Sequence, residues 1–385
     1  MKDYLAKRFE EEFSVSPDLY LRCGGRFEVL GNHTDHNHGL CLAATCNLLI
    51  YAAIRKRDDL TINAISEGYE KFSLDLSSLE IRNEEKNTPS SLIRGIAFYL
   101  NNEYKIGGFD IYIKSNVPSG AGVSSSAAFE LLLAQTFNYL FNNKQIPLMT
   151  LCKASQYAER YYYGKMCGLL DQIGVAYGGL VYIDFKDIDN PIVEPMRLNL
   201  KDYQFVIVNS GGSHAGLSHL YDAIPSDMYK VAQYFKKQYL RDVDYSLLQE
   251  NSEDVIAKCG LSSYYRAIHF FEENIRVKTA SEAIKKNDIE TLIYMINGSR
   301  VSSTKLLKNM YVDKVESSPL EACDLILKAS DNKAGVKING GGFAGSVIAL
   351  VPNDKLDFVL KAVKDRYGEN NIHLVDVFNN SPSEF

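Results

Sequence analysis

A run of small residues, Pro118-Ser-Gly-Ala-Gly-Val-Ser-Ser-Ser-Ala-Ala128, constrains this chain more than any other stretch, because it separates a strand-like segment from a strongly apolar helix-like one. Before it, Phe109, Ile111 and Ile113 alternate with Asp110, Tyr112 and Lys114, the period of a half-buried strand. After it, Phe129 to Phe141 contains good helix formers and no breaker, which sets the run at a helix N-terminus. Unpaired N–H groups and the positive end of the helix dipole favour an anion there, and small residues let the backbone close around it. The loop therefore reads as a phosphate cradle. It lacks the Gly-Lys-Ser/Thr of a Walker A loop. It also fails as a dinucleotide fingerprint, since position 125 is serine and no acidic residue lies between Glu130 and Glu159 to hold a ribose.

Three other clusters carry polar chemistry. Arg22 to Gly39 packs a basic residue, carboxylates, amides and imidazoles between apolar segments, as a polyol-binding loop would. Cys167-Gly-Leu-Leu-Asp171-Gln172 sets a carboxylate in an apolar neighbourhood, and Asn339-Gly-Gly-Gly-Phe-Ala-Gly-Ser346 is a second glycine loop between strand-like runs. His33, His36 and His38 invite a zinc reading, but no cysteine or carboxylate pair completes a recognised spacing.

Taken in order, these motifs resemble those of the GHMP small-molecule kinases, most closely the galactokinase family. Gly25-Arg26 and Gly31-Asn32-His33-Thr34-Asp35-His36-Asn37 match the first family motif, Pro118 to Ala127 the second, and Gly340-Gly-Gly-Phe-Ala-Gly345 the third. Cys167 to Gln172 and Asn297-Gly-Ser-Arg-Val-Ser302 favour galactokinases within the wider group. The resemblance implies an α+β, two-domain fold of mixed sheets and helices, with the active site in the cleft between an N-terminal domain (1–200) and a C-terminal domain (201–385). It implies transfer of the ATP γ-phosphoryl group to the anomeric hydroxyl of a galactose-like sugar. Asp171 and Arg26 would be the catalytic pair. Asn32, His33, Asp35, Gly168 and Tyr221 would contact the sugar. Pro118, Gly120, Gly122, Val123, Ser124, Ser125, Ser126 and Ala127 would bind ATP, with Ser126 and Glu159 holding Mg²⁺. An ionised carboxylate beside an arginine and a hard-oxygen metal site suit phosphoryl transfer, which asks mainly for positioning and charge stabilisation.

Two departures bear on the substrate. Asn32 stands where the family carries a glutamate for the sugar's primary hydroxyl, and His36 where it carries tyrosine. An amide donates as well as accepts, so the pocket is expected to be less hostile to an anionic or altered C6. Galactose is the primary expectation, with galacturonate, arabinose or N-acetylgalactosamine as alternatives of the same chemistry and a non-catalytic sugar and ATP sensor as an alternative of another class. The chain has no tryptophan, so adenine must rest on another apolar or tyrosine surface.

Composition agrees with an ordinary enzyme. A formal charge of −6 offers no basic face for nucleic acid, and no apolar run approaches a membrane span. Seven scattered cysteines read as reduced thiols in a cytoplasmic protein, a monomer or small homo-oligomer. Strands are expected at 40–54, 60–65, 72–76, 109–117, 180–183 and 204–209. Helices are expected at 91–102, 127–142, 148–163, 228–239, 264–286 and 289–297.

Overall fold

The computed structural model describes residues 1–117, 122–211, 217–311 and 318–385. Pro118 and Gly120 of the expected phosphate cradle lie outside these residues. Helix α1 (Lys2–Phe13) leads into β1 (Leu19–Leu30) and the long β2 (Leu40–Lys56), followed by β3 (Thr61–Ser66) and β4 (Phe72–Asp75). Helix α2 (Pro89–Leu100), β5 (Phe109–Ser115) and helices α3 (Ser125–Phe141), α4 (Leu148–Tyr157) and α5 (Leu170–Ala176) come next, then β6 (Leu180–Asp184) and β7 (Ile192–Met196).

The first sheet has eight strands, and β2 is its spine. One end of β2 pairs with β6 through Leu40–Ala44 and the other with β5 through Ile50–Lys56, while β1 runs along its opposite edge. Helices α2 to α5 cover one face, supplying Ile93, Leu131, Phe137, Leu151 and Ile173 to a continuous core. Because α3 is apolar almost all round, it is buried on nearly every side. The other face of β5 is also covered: Tyr112 packs beneath Leu5 and Phe9 of α1. Asp110 is buried against Arg57 and Asn63. β5 is thus buried on both faces, not half-buried as its alternation suggests.

The second sheet, ordered β11-β8-β10-β9, draws on β8 (Tyr203–Asn209), β9 (Gly335–Ile338), β10 (Ser346–Pro352) and β11 (Ile372–Val375). Between β8 and β9 lie α6 (Ser218–Tyr234), α7 (Tyr245–Glu250), α8 (Ser252–Cys259), α9 (Leu261–Lys285), α10 (Ile289–Ser302) and α11 (Pro319–Ala329), and α12 (Asn353–Tyr367) follows β10. The chain ends by returning to the first sheet, where β12 (Ser383–Glu384) pairs with β1. Among the described residues no helix is long and apolar enough to cross a membrane.

Two expected features differ. The stretch from Arg22 to Leu30 is strand rather than loop: its polar side chains hide the pattern, and register shifts at Gly24/Arg26 and Glu28/Leu30 break the alternation. Helix α6 begins ten residues before the expected start and runs through Pro225, which reads as a breaker in sequence.

A buried carboxylate ties the halves together. Glu273 of α9 accepts hydrogen bonds from the Gly31 amide (3.0 Å), the Asn32 amide (3.4 Å) and Ser299 Oγ (2.6 Å), and pairs with Arg276 Nε at 2.6 Å. Burial alone would raise its pKa, but Arg276, His269 and these hydrogen bonds hold it down at about 2. Its folded value lies below the unfolded one, so this contribution is complete above about pH 4.5 and is lost as pH falls toward 2. Glu273→Gln is expected to cost about 3 kcal/mol in urea unfolding at pH 7, since it leaves Arg276 and the Gly31 turn under-paired. The deficit should shrink toward pH 3.

Candidate active site

Arg26 reaches from β1 across to the start of α5. Its Nε and Nη2 approach Asp171 Oδ1 at 2.8 and 2.7 Å, and its Nη1 donates to the Gly122 carbonyl at 2.7 Å. The other Asp171 oxygen accepts from Ser124 Oγ at 2.6 Å. Burial pushes the Asp171 carboxyl up, but the Arg26 charge and the Ser124 and Arg26 hydrogen bonds outweigh it and leave the pKa below the ordinary range. Ser124 performs this contact from a left-handed conformation (φ 52°) at the N-cap of α3, a backbone cost that serine bears only when its surroundings impose it. Gly25 lies directly beneath: a Cβ there would come within 2.5 Å of the Val123 carbonyl, which accepts from the Arg26 amide.

Around this pair opens a cavity of about 640 Å³, walled by Asn32, His33, Asp35, Gly168, Tyr221 and Gly340 among others. The third glycine motif contributes carbonyls to it. Gly340 O accepts from Asn32, Gly341 O from His33 Nε2 at 2.8 Å, and Gly342 O from the Tyr221 hydroxyl at 2.6 Å. Burial lowers the His33 pKa, in keeping with a neutral ring that donates through Nε2. Asp35, by contrast, has no ion-pair partner among the described residues. Burial, with the nearby charges of Asp171 and Glu28, raises its pKa to about 6. Gly168 is required beside it, because any Cβ would overlap the Asp35 carboxylate.

A second, mainly apolar cavity of about 560 Å³ lies on the far side of the α3 N-terminus, lined by Phe72, Ser126, Phe129, Glu159 and Tyr163. Glu159 is 3% exposed and pairs with Lys165 at 2.7 Å. Gln172 Nε2 bridges Glu159 and Glu130, and Glu130 Oε1 is buried with no hydrogen-bond partner among the described residues. Burial and the Glu159 charge drive the Glu130 pKa well up. Among the described residues no three His, Cys, Asp or Glu side chains converge as a metal cage. A serine hydroxyl and a carboxylate completed by phosphate oxygens would suit Mg²⁺, which keeps few protein ligands. Lys165 lines both cavities. His38 stacks on Tyr239 at 3.7 Å, while the His33 and His36 rings lie 5.7 Å apart.

Sequence reasoning passed over Glu28, Lys337, Lys165, His269 and Glu273. His269, neutral with its pKa pushed down to about 4 by burial, donates to the Asn32 carbonyl at 2.9 Å and accepts from Ser302 at 2.8 Å. Ser299 and Ser302 of the Asn297–Ser302 motif thus act one layer behind the cavity, and that motif was the available signal for Glu273 and His269.

A glycine-rich helix start faces a carboxylate–arginine pair, and comparison with known proteins gives the class this chain resembles: the GHMP kinases N terminal domain matches residues 91–179. Within that class it is galactokinase-like, because the galactokinase galactose-binding signature matches residues 7–56. The galactokinase of Glaesserella parasuis is 29% identical over 372 residues, covering 94% of this chain and 92% of the relative. The structure of Lactococcus lactis galactokinase complexed with galactose superposes with a TM-score of 0.86 at 24% identity over the whole of both chains. Methanococcus jannaschii mevalonate kinase shares the fold more distantly, with a TM-score of 0.64 at 18% identity over 94% of this chain and 98% of its own.

Gly168→Ala is expected to displace the Asp35 carboxylate and raise KM for the sugar roughly 10-fold or more, with nucleotide affinity retained. Initial rates at varied sugar and ATP separate the two. An ionised Asp35 accepts hydroxyl hydrogen bonds and a protonated one accepts fewer, so KM for the sugar should climb as pH falls through about 6. A pH profile of KM checks this, and a flat one between pH 5 and 7 would exclude that role.

Proposed function

We propose that the chain is a galactokinase, transferring the ATP γ-phosphoryl group to the anomeric hydroxyl of galactose. The observation that carries this reading is the Arg26–Asp171–Ser124 arrangement, held between the sugar-side cavity and the N-terminus of α3. Asp171, ionised at neutral pH, would orient the anomeric hydroxyl and take its proton as the new O–P bond forms and the bond to the ADP oxygen breaks. Arg26 would offset charge on the transferring group while keeping Asp171 ionised. Asp35 would accept from ring hydroxyls, with His33 and Tyr221 shaping the wall through their carbonyl contacts. Gly122 to Ala127 would face the phosphates, and the cavity of Phe72, Phe129 and Tyr163 would take adenine in place of tryptophan. Ser126 and Glu159 would hold Mg²⁺, whose chemistry is to neutralise the β- and γ-phosphates. Lys165 would then give up Glu159. The division near residue 200 belongs to the same proposal, supported by β7 ending at Met196 and β8 beginning at Tyr203.

A uronate acceptor would meet Glu28, Asp35 and Asp171 in one cavity, with Arg26 and Lys337 paired to Asp171 and Glu28 but Arg160, Lys165 and Lys230 also on its wall. A silent sensor would have no use for an Arg26–Asp171 pair.

The direct test is ADP release with Mg-ATP across galactose, galacturonate, arabinose and N-acetylgalactosamine, with galactose preferred. Equal or better turnover of another sugar would reassign the substrate. Asp171→Asn should keep ATP binding and lose turnover by roughly 10²-fold or more. Wild-type rates in that variant would move the chemistry elsewhere.

A further inference from the structure

We infer that Glu28, not Asn32, is the residue through which this chain reads a hydroxyl of its acceptor sugar. The inference rests on the kinase reading above and assigns the specificity of the same site. Asn32 is 1% exposed and both of its N–H groups are spent. Nδ2 donates to Glu28 at 3.1 Å and to the Gly340 carbonyl at 2.7 Å, and Oδ1 accepts from Asn309 Nδ2 at 2.9 Å. An amide held this way has no donor left for a ligand.

Glu28 is nearly as buried, at 3% exposed, but its hydrogen bonding differs. Its Oε1 accepts from Lys337 Nζ at 2.7 Å and from Asn32 at 3.1 Å, whereas Oε2 has only the longer Asn32 contact at 3.3 Å. A carboxylate offers about four lone-pair positions, so Oε2 keeps acceptor capacity in the cavity wall. The group is also rigidly mounted. Glu28 lies on β1, Lys337 on β9, and the Glu28 amide donates to Asn339 Oδ1 at 3.0 Å. Lys337 is fully buried and its ammonium also donates to the Ile338 carbonyl at 2.6 Å, which fixes it against Glu28 Oε1. Such an acceptor welcomes a hydroxyl, repels an anionic substituent, and is left unmatched by a sugar that lacks the hydroxyl. The amide at position 32 therefore does not make the pocket tolerant of a uronate; it braces a carboxylate supplied from four residues earlier.

The test compares kcat/KM of the wild type and Glu28→Gln for galactose and its 2-, 4- and 6-deoxy analogues. The wild type should reject one analogue by roughly 10-fold or more. E28Q should lose roughly 10-fold or more on galactose and discriminate that analogue by less than about threefold, with the other two preferences and KM for ATP unchanged. Because E28Q leaves Lys337 buried without its counter-charge, the double variant E28Q/K337M is measured beside it and should show the same collapse. Independently of any variant, the wild type should use galacturonate roughly 100-fold less well than galactose. An unchanged deoxy-sugar pattern in a folded variant, or comparable use of galacturonate by the wild type, overturns the inference. A wild type that phosphorylates none of these sugars overturns the kinase reading instead.

Discussion

The site depends on one buried carboxylate, Glu273, that lines neither cavity. Glu273 collects the amides of Gly31 and Asn32, the Ser299 hydroxyl and the Arg276 guanidinium, and so sets the turn that carries His33 and Asp35. That turn begins at the end of β1 in the first sheet, Glu273 lies on α9, which packs against β2 and α10, and Ser299 lies on α10, which packs against β9 of the second sheet. Four partners around one carboxylate satisfy nearly all its acceptor positions, which is what allows a charge to lie fully buried. His269 adds a neutral bridge from α9 to the Asn32 carbonyl. The sugar-side wall is thus held from behind by helices whose own sequence shows little sign of a site.

The carboxylates near the two cavities are set apart by their partners. Asp171 has an arginine and a hydroxyl and stays ionised. Asp35 has neither and rises to about 6. Glu130, buried beside Glu159, is pushed well above the ordinary carboxyl range. One type of side chain thereby supplies an anion, a group that titrates near neutrality and a carboxyl whose charged form is disfavoured, each decided by local desolvation and pairing.

Much of this was legible in the sequence. Strands β2 to β6 and helices α2 to α4 follow their periodicity to within a few residues, since each buries a continuous apolar stripe, whereas the seven-residue α5 is too short to show one. Arg26, Asp171, Asp35, Ser126 and Glu159 were found through motif matches, and the fold brings the first three to one cavity and the last two to another. Strand β1 was hidden because its polar side chains serve the site and its bulges break the alternation. Glu28 was hidden for a different reason. Its meaning comes from Lys337, which is 309 residues away in the chain, and no local pattern carries a contact of that separation. Ser124 was read as a phosphate ligand, and only its left-handed backbone shows the hydroxyl turned to Asp171.

Lys165 lines both cavities from the short connection between α4 and α5, with its ammonium on Glu159. A side chain shared by two binding sites makes their occupancies thermodynamically dependent. If nucleotide and sugar fill these cavities as proposed, a nucleotide that displaces Lys165 would change the free energy of filling the sugar cavity, and linkage would require sugar to alter nucleotide affinity by the same factor. On the proposed reading the two substrates would be each other's effectors, through the one cation that lines both cavities.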